Sequence, residues 1–211
     1  MDASTSILPA PHQLDQRHVE GAKLFANRQA MIKGLGIPVD GVIAEVGVAL
    51  GDFSEFLIDT LKPRTFVAMD LWQLHEHQTV WGRPAAEVFG GLTQAQFFEE
   101  RFRDRGDLIR LESGESAESL WRQADESFDM IYVDAGHDYE NARKDAEAAL
   151  AKIKRDGTII FNDYIMYDHL AHSSYGVVHV VNQLVVEQGW SVVGFALAPQ
   201  MFCDIALRRK I

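Results

Sequence analysis

The sequence predicts an α/β fold, a doubly wound, mostly parallel seven-stranded sheet with an antiparallel terminal strand. Three observations predict it. From residue 41 onward, short β-branched runs alternate with stretches of helical spacing, the signature of βαβ units whose sheet is covered on both faces. The runs are apolar, and polar residues gather just after them. The last two runs stand too close together for a crossover, so they form a hairpin.

The first 14 residues carry Ser, Thr and two prolines and read as a loose arm. Asp15–Leu35 reads as an amphipathic helix, because Val19, Ala22, Phe25, Ala26 and Ala30 recur at helical spacing and Gly34 and Gly36 end it. The expected division is therefore an arm and helix over 1–36, then one domain over 37–211. Within it, strands are expected at 41–46, 65–69, 108–111, 128–133 and 158–161, and helices at 52–61, 139–153 and 177–188. The closing hairpin joins Trp190–Phe195 to Phe202–Leu207. Leu71–Thr93 has no clear period and is too long for an ordinary connection, which suits a lid or substrate loop.

A chain of 211 residues is long enough for one well-buried core. Its formal charge of −11 opposes phosphate backbones and anionic lipid, so no nucleic-acid or membrane partner is expected. Cys203 is the single cysteine, so no internal disulfide forms. No stretch of about 18 apolar residues occurs. The first 15 residues lack a basic start followed by an apolar block, and a cytoplasmic location is expected. A homodimer is left open, since the N-terminal helix can pack on its own domain or on a neighbour.

In open α/β sheets, ligands bind at the carboxyl ends of the strands. Here those ends carry Glu45 and Gly47, Asp70, Glu112–Glu115, Asp134, and Asn162 with Asp163. Gly47 and Gly51 allow a tight turn and close approach to a ligand, and the next helix offers free N–H groups. Asp70 ends the second strand, where a carboxylate suits the hydroxyls of a ribose. The glycine spacing departs from G-x-G-x-x-G, which disfavours a pyrophosphate and suits a phosphate-free nucleoside such as S-adenosylmethionine. His137 follows Asp134 by three residues, and a neutral imidazole there can take a substrate proton. Tyr139 and Asp145 read as packing and helix-surface residues. Trp72, Trp81 and Phe89 read as a satellite core more readily than as an acceptor pocket.

The segments IAEVGVALGDFS, FVAMDLW, LESGESAESL, FDMIYVDAGHDYENARKDAEAAL and KRDGTIIFNDY, in that order, resemble the class I S-adenosylmethionine-dependent methyltransferases. The resemblance runs from about Gly41 to Arg208. It is nearest to a small bacterial subgroup with a D-x-x-H-x-Y segment, which includes metal-dependent small-molecule O-methyltransferases. It implies the Rossmann-like methyltransferase fold. Gly47 and Gly51 would cradle the amino-acid part of the cofactor, with Glu45 ordering the loop. Asp70 would hold the ribose, Leu71 or Trp72 would pack near the adenine, and Gly114, Glu115 and Ser116 would face the adenine edge. Asp134 would lie near the reacting methyl. Asp134, Asn162 and Asp163 would be the ligands of Mg²⁺ or another divalent cation, where close relatives often have an acid in place of Asn162. The expected activity is methyl transfer to a small-molecule acceptor, at oxygen. A nicotinamide-dependent oxidoreductase, a non-catalytic nucleoside-binding module and an antibiotic hydroxylation protein are the alternatives.

Overall fold

The computed structural model describes residues 8–210. Eight strands build the main sheet: β1 (Lys23–Phe25), β2 (Val42–Val46), β3 (Thr65–Asp70), β4 (Ile109–Ser113), β5 (Phe128–Val133), β6 (Ile153–Phe161), β7 (Trp190–Ala196) and β8 (Asp204–Arg209). Their order is β1-β7-β8-β6-β5-β2-β3-β4. Strand β8 is antiparallel to both of its neighbours, and every other pair is parallel. The hairpin and the parallel frame match the expectation, and β1 is an additional, eighth strand.

That strand corrects the N-terminal reading. The expected helix over 15–35 is broken into a 3-10 turn at Gln16–His18, strand β1 and helix α1 (Arg28–Gly34). Asn27 is the reason for the late start, because its side chain accepts from the Ala30 N–H and caps a new helix. Upstream, Lys23–Phe25 pairs with Gly194–Ala196. A distant strand edge thus outcompetes local helical spacing. The loose arm expected over 1–14 falls partly on residues 1–7, outside the described residues. Beyond them, the His12 carbonyl accepts from Asn182 Nδ2.

The helices are α2 (Asp52–Leu61), α3 (Ala85–Phe89), α4 (Gln94–Arg101), α5 (Ser116–Trp121), α6 (Tyr139–Lys152) and α7 (Val177–Glu187), after α1. Alternate residues of the central strands feed two cores. Ala44, Ile131, Val133, Ile159 and Phe161 pack with α5, α6 and α7. Ile43, Met130, Tyr132 and Ile160 pack with α1 and α2 on the other face. These strands are buried on both sides, which is why they read as unbroken apolar runs. Strand β6 starts earlier than expected, because a bulge carries the polar residues 154–157 between the pairs Phe128↔Ile153 and Met130↔Thr158.

Segment 71–93 is ordered. It holds a 3-10 turn, the two-residue pair Thr79–Val80 with Arg83–Pro84, and α3. Val80, Ala85 and Phe89 form a small separate core beneath it. Trp72 instead joins the main core, and Trp81 stays 71% exposed. No described helix is long and apolar enough to cross a membrane.

Candidate functional site

The carboxyl ends of β2, β3, β4 and β5 meet around a cleft of about 540 Å³. Gly47, Asp70, Leu71, Gly114, Glu115, Ser116, Asp134 and His137 all line it. The loop after β2 is held by Asp70. One carboxylate oxygen accepts from the Val48 and Ala49 N–H groups at 3.0 and 3.1 Å, and the other from Trp72 N–H at 3.1 Å. Gly47 has φ 87°, and a Cβ there would stand 1.9 Å from the Asp134 carbonyl oxygen. Strands β2 and β5 therefore close on each other directly beneath the cleft.

Three expected cofactor residues lie elsewhere. Gly51 caps α2, and a Cβ on it would meet the Phe98 and Phe102 rings at 2.9 and 2.8 Å, so its smallness serves packing. Trp72 turns inward, donates from Nε1 to the Glu112 carbonyl at 3.0 Å and packs edge-on against Phe98. Leu71 is therefore the residue of that pair that faces the cleft. Glu45 is buried under the loop and accepts from Ser54 Oγ on α2 rather than from loop backbone. Burial pushes its carboxyl up to about 8.

Sequence reasoning passed over one residue, Gln94, and placed two others, Trp81 and Asp145, differently. Gln94 is fully buried, donates to the Ala49 carbonyl and accepts from Leu74 N–H, and so stitches segment 71–93 to the β2 loop. Trp81 stands at the rim of the cleft. Asp145, expected on the helix surface, is fully buried in α6, and burial raises its carboxyl to about 6. The signal for Gln94 is a polar residue opening α4, but helix starts are commonly polar, and only the fold brings its amide to the Ala49 carbonyl.

At the tips of β5 and β6, His137 Nε2 lies 3.6 Å from Asp134 Oδ1 and 3.5 Å from Asp163 Oδ2. It is buried with no hydrogen-bond partner. Its ring stacks on Tyr175 at 4.7 Å between centroids, and its carbonyl accepts from Gly176 N–H at 2.7 Å. Burial opposes a charged imidazole, but the neighbouring Asp134 and Asp163 outweigh it and raise the His137 pKa. Burial likewise lifts the Asp163 carboxyl to about 6.

Of the expected metal triad, Asn162 is tied through its amide N–H to Asp204, while Asp134 and Asp163 face the His137 ring. Asn162 donates from Nδ2 to Asp204 Oδ1 at 3.0 Å, and the Tyr132 hydroxyl donates to Asp204 Oδ2 at 2.6 Å. The gap between Asp134 and Asp163 is taken by the His137 ring. Among the described residues, no group of three or more His, Cys, Asp and Glu is placed to hold a metal ion. The fixed cation of the site is Arg28, brought in by α1. Its guanidinium donates to the Tyr132 hydroxyl at 3.2 Å, lies over Phe53 at 4.1 Å and stands 3.9 Å from Asp134 Oδ2.

The profile of the family described as a methyltransferase domain matches residues 44–164, more than half of the chain. No curated protein sequence matches. Among solved structures, a Corynebacterium glutamicum protein is similar at TM-score 0.59 and 15% identity, covering 97% of this chain and 84% of its own. The O-methyltransferase TomG of Streptomyces achromogenes, involved in tomaymycin synthesis and solved with SAM, is similar at TM-score 0.59 and 17% identity, over 87% of this chain and 80% of its own. The tRNA methyltransferase TrmK of B. subtilis follows at TM-score 0.55 and 14% identity, over 88% and 67%. At such identities the likeness is one of fold.

Proposed function

The chain belongs to the methyltransferase-domain family, and from that premise we propose that it transfers a methyl group from S-adenosylmethionine to a hydroxyl of a small-molecule acceptor. The observation that carries the hydroxyl reading is His137. Its Nε2 is buried and unpartnered, borders the cleft, and has a carboxylate on either side. A group so placed is suited to take a proton and to hold it.

The cofactor supplies an activated methyl group on a sulfonium. The cleft suits a nucleoside bound across the strand ends, with Asp70 toward the ribose, Leu71 and the Gly114–Ser116 turn toward the adenine, and Gly47 and Asp134 toward the methionine end. Proximity and alignment in such a cleft supply much of the rate. As the acceptor oxygen attacks, its proton passes to His137 Nε2. Asp134 and Asp163 then face an imidazolium, which their charges stabilise. Tyr175 keeps the ring plane fixed. The proton is assigned to His137, and no step is routed through a metal ion.

Calorimetric titration with S-adenosylhomocysteine tests the cofactor, and transfer of labelled methyl to a panel of phenols and alcohols tests the reaction. His137→Ala is expected to bind S-adenosylhomocysteine normally and to lose about 10²-fold or more in turnover. Turnover like the parent's would sink the base assignment.

A further inference from the structure

A second cavity, about 480 Å³, opens on the far side of the strand tips. Arg28 and Asp163 stand on its polar wall, and Leu197, Pro199 and Phe202 form an apolar one. Two contacts join it to the cofactor cleft. Asp163, which lines the second cavity, lies 3.5 Å from His137, which lines the first. Arg28 of the second cavity lies 3.9 Å from Asp134 of the first. The unpartnered Nε2 of His137 thus stands on the boundary between two cavities. In-line transfer needs the acceptor oxygen against the sulfonium methyl with a proton-taking group beside that oxygen, so an acceptor seated in the second cavity would reach past Asp163 to the methionine end of the cleft, with its hydroxyl beside Nε2.

We propose that the second cavity binds the methyl acceptor, and that the acceptor is an uncharged ring compound carrying a hydroxyl group. The proposal rests on the methyl-transfer reading above. The volume falls in the range of small-molecule sites, roughly 300–1,000 Å³. The charge class follows from the polar wall. Asp204 has one hydrogen bond on each oxygen, from Tyr132 and from Asn162, so it is already engaged. Arg28 and Asp163 remain 35% and 16% exposed at their side chains. An anionic acceptor would meet Asp163, and a cationic one would meet Arg28. A neutral hydroxyl satisfies both, because it accepts one hydrogen bond and donates another. The ring follows from the wall formed by Phe202, Pro199 and Leu197, whose apolar surface suits the face of a ring, while Asn27 and Gln29 add polar groups elsewhere in the lining. A phosphodiester acceptor would be repelled by Asp163 and by the charge of −11 on the whole chain.

The test uses the full chain saturated with S-adenosylhomocysteine. Three probes of one shape are compared by calorimetry and ligand-observed NMR: 2-naphthol, 2-naphthoate and 2-naphthylmethylammonium, with adenosine 5′-monophosphate as the nucleotide control. The expected result is that 2-naphthol binds at least about tenfold more tightly than either ion or the nucleotide. Ala198→Trp fills the second cavity and should weaken 2-naphthol about tenfold or more with unchanged affinity for S-adenosylhomocysteine. Phe202→Ala should weaken it too, and the intact cofactor-analogue affinity reports that both variants fold. Preference for an ion or the nucleotide, no binding of 2-naphthol, or binding indifferent to Ala198→Trp would each overturn the proposal. Absence of S-adenosylhomocysteine binding would instead remove the methyl-transfer reading.

Discussion

The Asp134 carbonyl oxygen lies 1.9 Å from the point where a Cβ on Gly47 would stand. No backbone shift short of separating β2 from β5 accommodates a methyl group there, and the Gly47 φ of 87° already disfavours any L side chain. Gly47→Ala is therefore expected to cost roughly 3 kcal/mol, from the clash together with the strained φ. Thermal unfolding reads the loss directly, and affinity for S-adenosylhomocysteine should fall with it. An alanine variant as stable as the parent would mean that the two strand tips do not touch.

His137 carries the pH dependence. Its folded pKa is raised, so as a base it is neutral only above a midpoint higher than the ordinary value of about 6.5. Turnover should rise with pH through that midpoint. Asp163→Asn removes one of the two acids facing Nε2 and should lower the midpoint. The ring-proton titration of His137 by NMR measures both values without an acceptor. By linkage, the same raised pKa adds stability at low pH that is lost as pH climbs through the folded value. An unchanged midpoint in Asp163→Asn would show that the two groups do not interact.

How much of this was legible depends on whether the deciding contact was local. Helix α2 was readable to its ends, because Gly51 and the 52–61 spacing are local signals. The four central strands β2, β3, β5 and β6 were readable as apolar runs, because burial on both faces leaves no alternation to disguise them. The N-terminal helix was misread, because Phe25 is held by Ala196, a partner 171 residues away. The same limit hid the site's polar support. Tyr132 read as one more strand residue, and its bond to Asp204 spans 72 positions. Gly47, Asp70 and Asp134 were legible as lining of the cleft, because a parallel sheet opens its crevice at the strand ends, and that rule needs no distances. Gly51 and Trp72 were drawn to the cofactor by adjacency along the chain, but the side chains beside them, Phe98 among them, claim them for the core.

Asp70 serves the loop as well as any ligand. It accepts three backbone N–H groups, two from the loop after β2 and one from Trp72. Asp70→Asn keeps a single acceptor oxygen and can satisfy either side but not both. Asp70→Ala satisfies neither, at a cost of about 2 kcal/mol after partial rescue by water. Affinity for S-adenosylhomocysteine should fall in the order parent, asparagine, alanine, with the alanine variant weaker by about tenfold or more. Equal affinities across the three would leave Asp70 no part in either loop or ligand.

Glu45 tests the core beneath the cleft. Its carboxyl is buried and raised from 4.5 to about 8, chiefly by desolvation and against the help of the Ser54 hydroxyl. An acid whose folded pKa lies above its unfolded one binds more protons when folded, so stability declines as pH rises between the two values. Glu45→Gln keeps an acceptor oxygen for Ser54 and removes the ionisation. The variant should match the parent near pH 4.5 and exceed it by on the order of 4 kcal/mol, or roughly 8–16 °C, near pH 8. Melting curves of both proteins across that range measure the difference. A gap that does not widen with pH would mean that Glu45 ionises as an ordinary carboxylate, with a counter-charge nearer to it than Arg28.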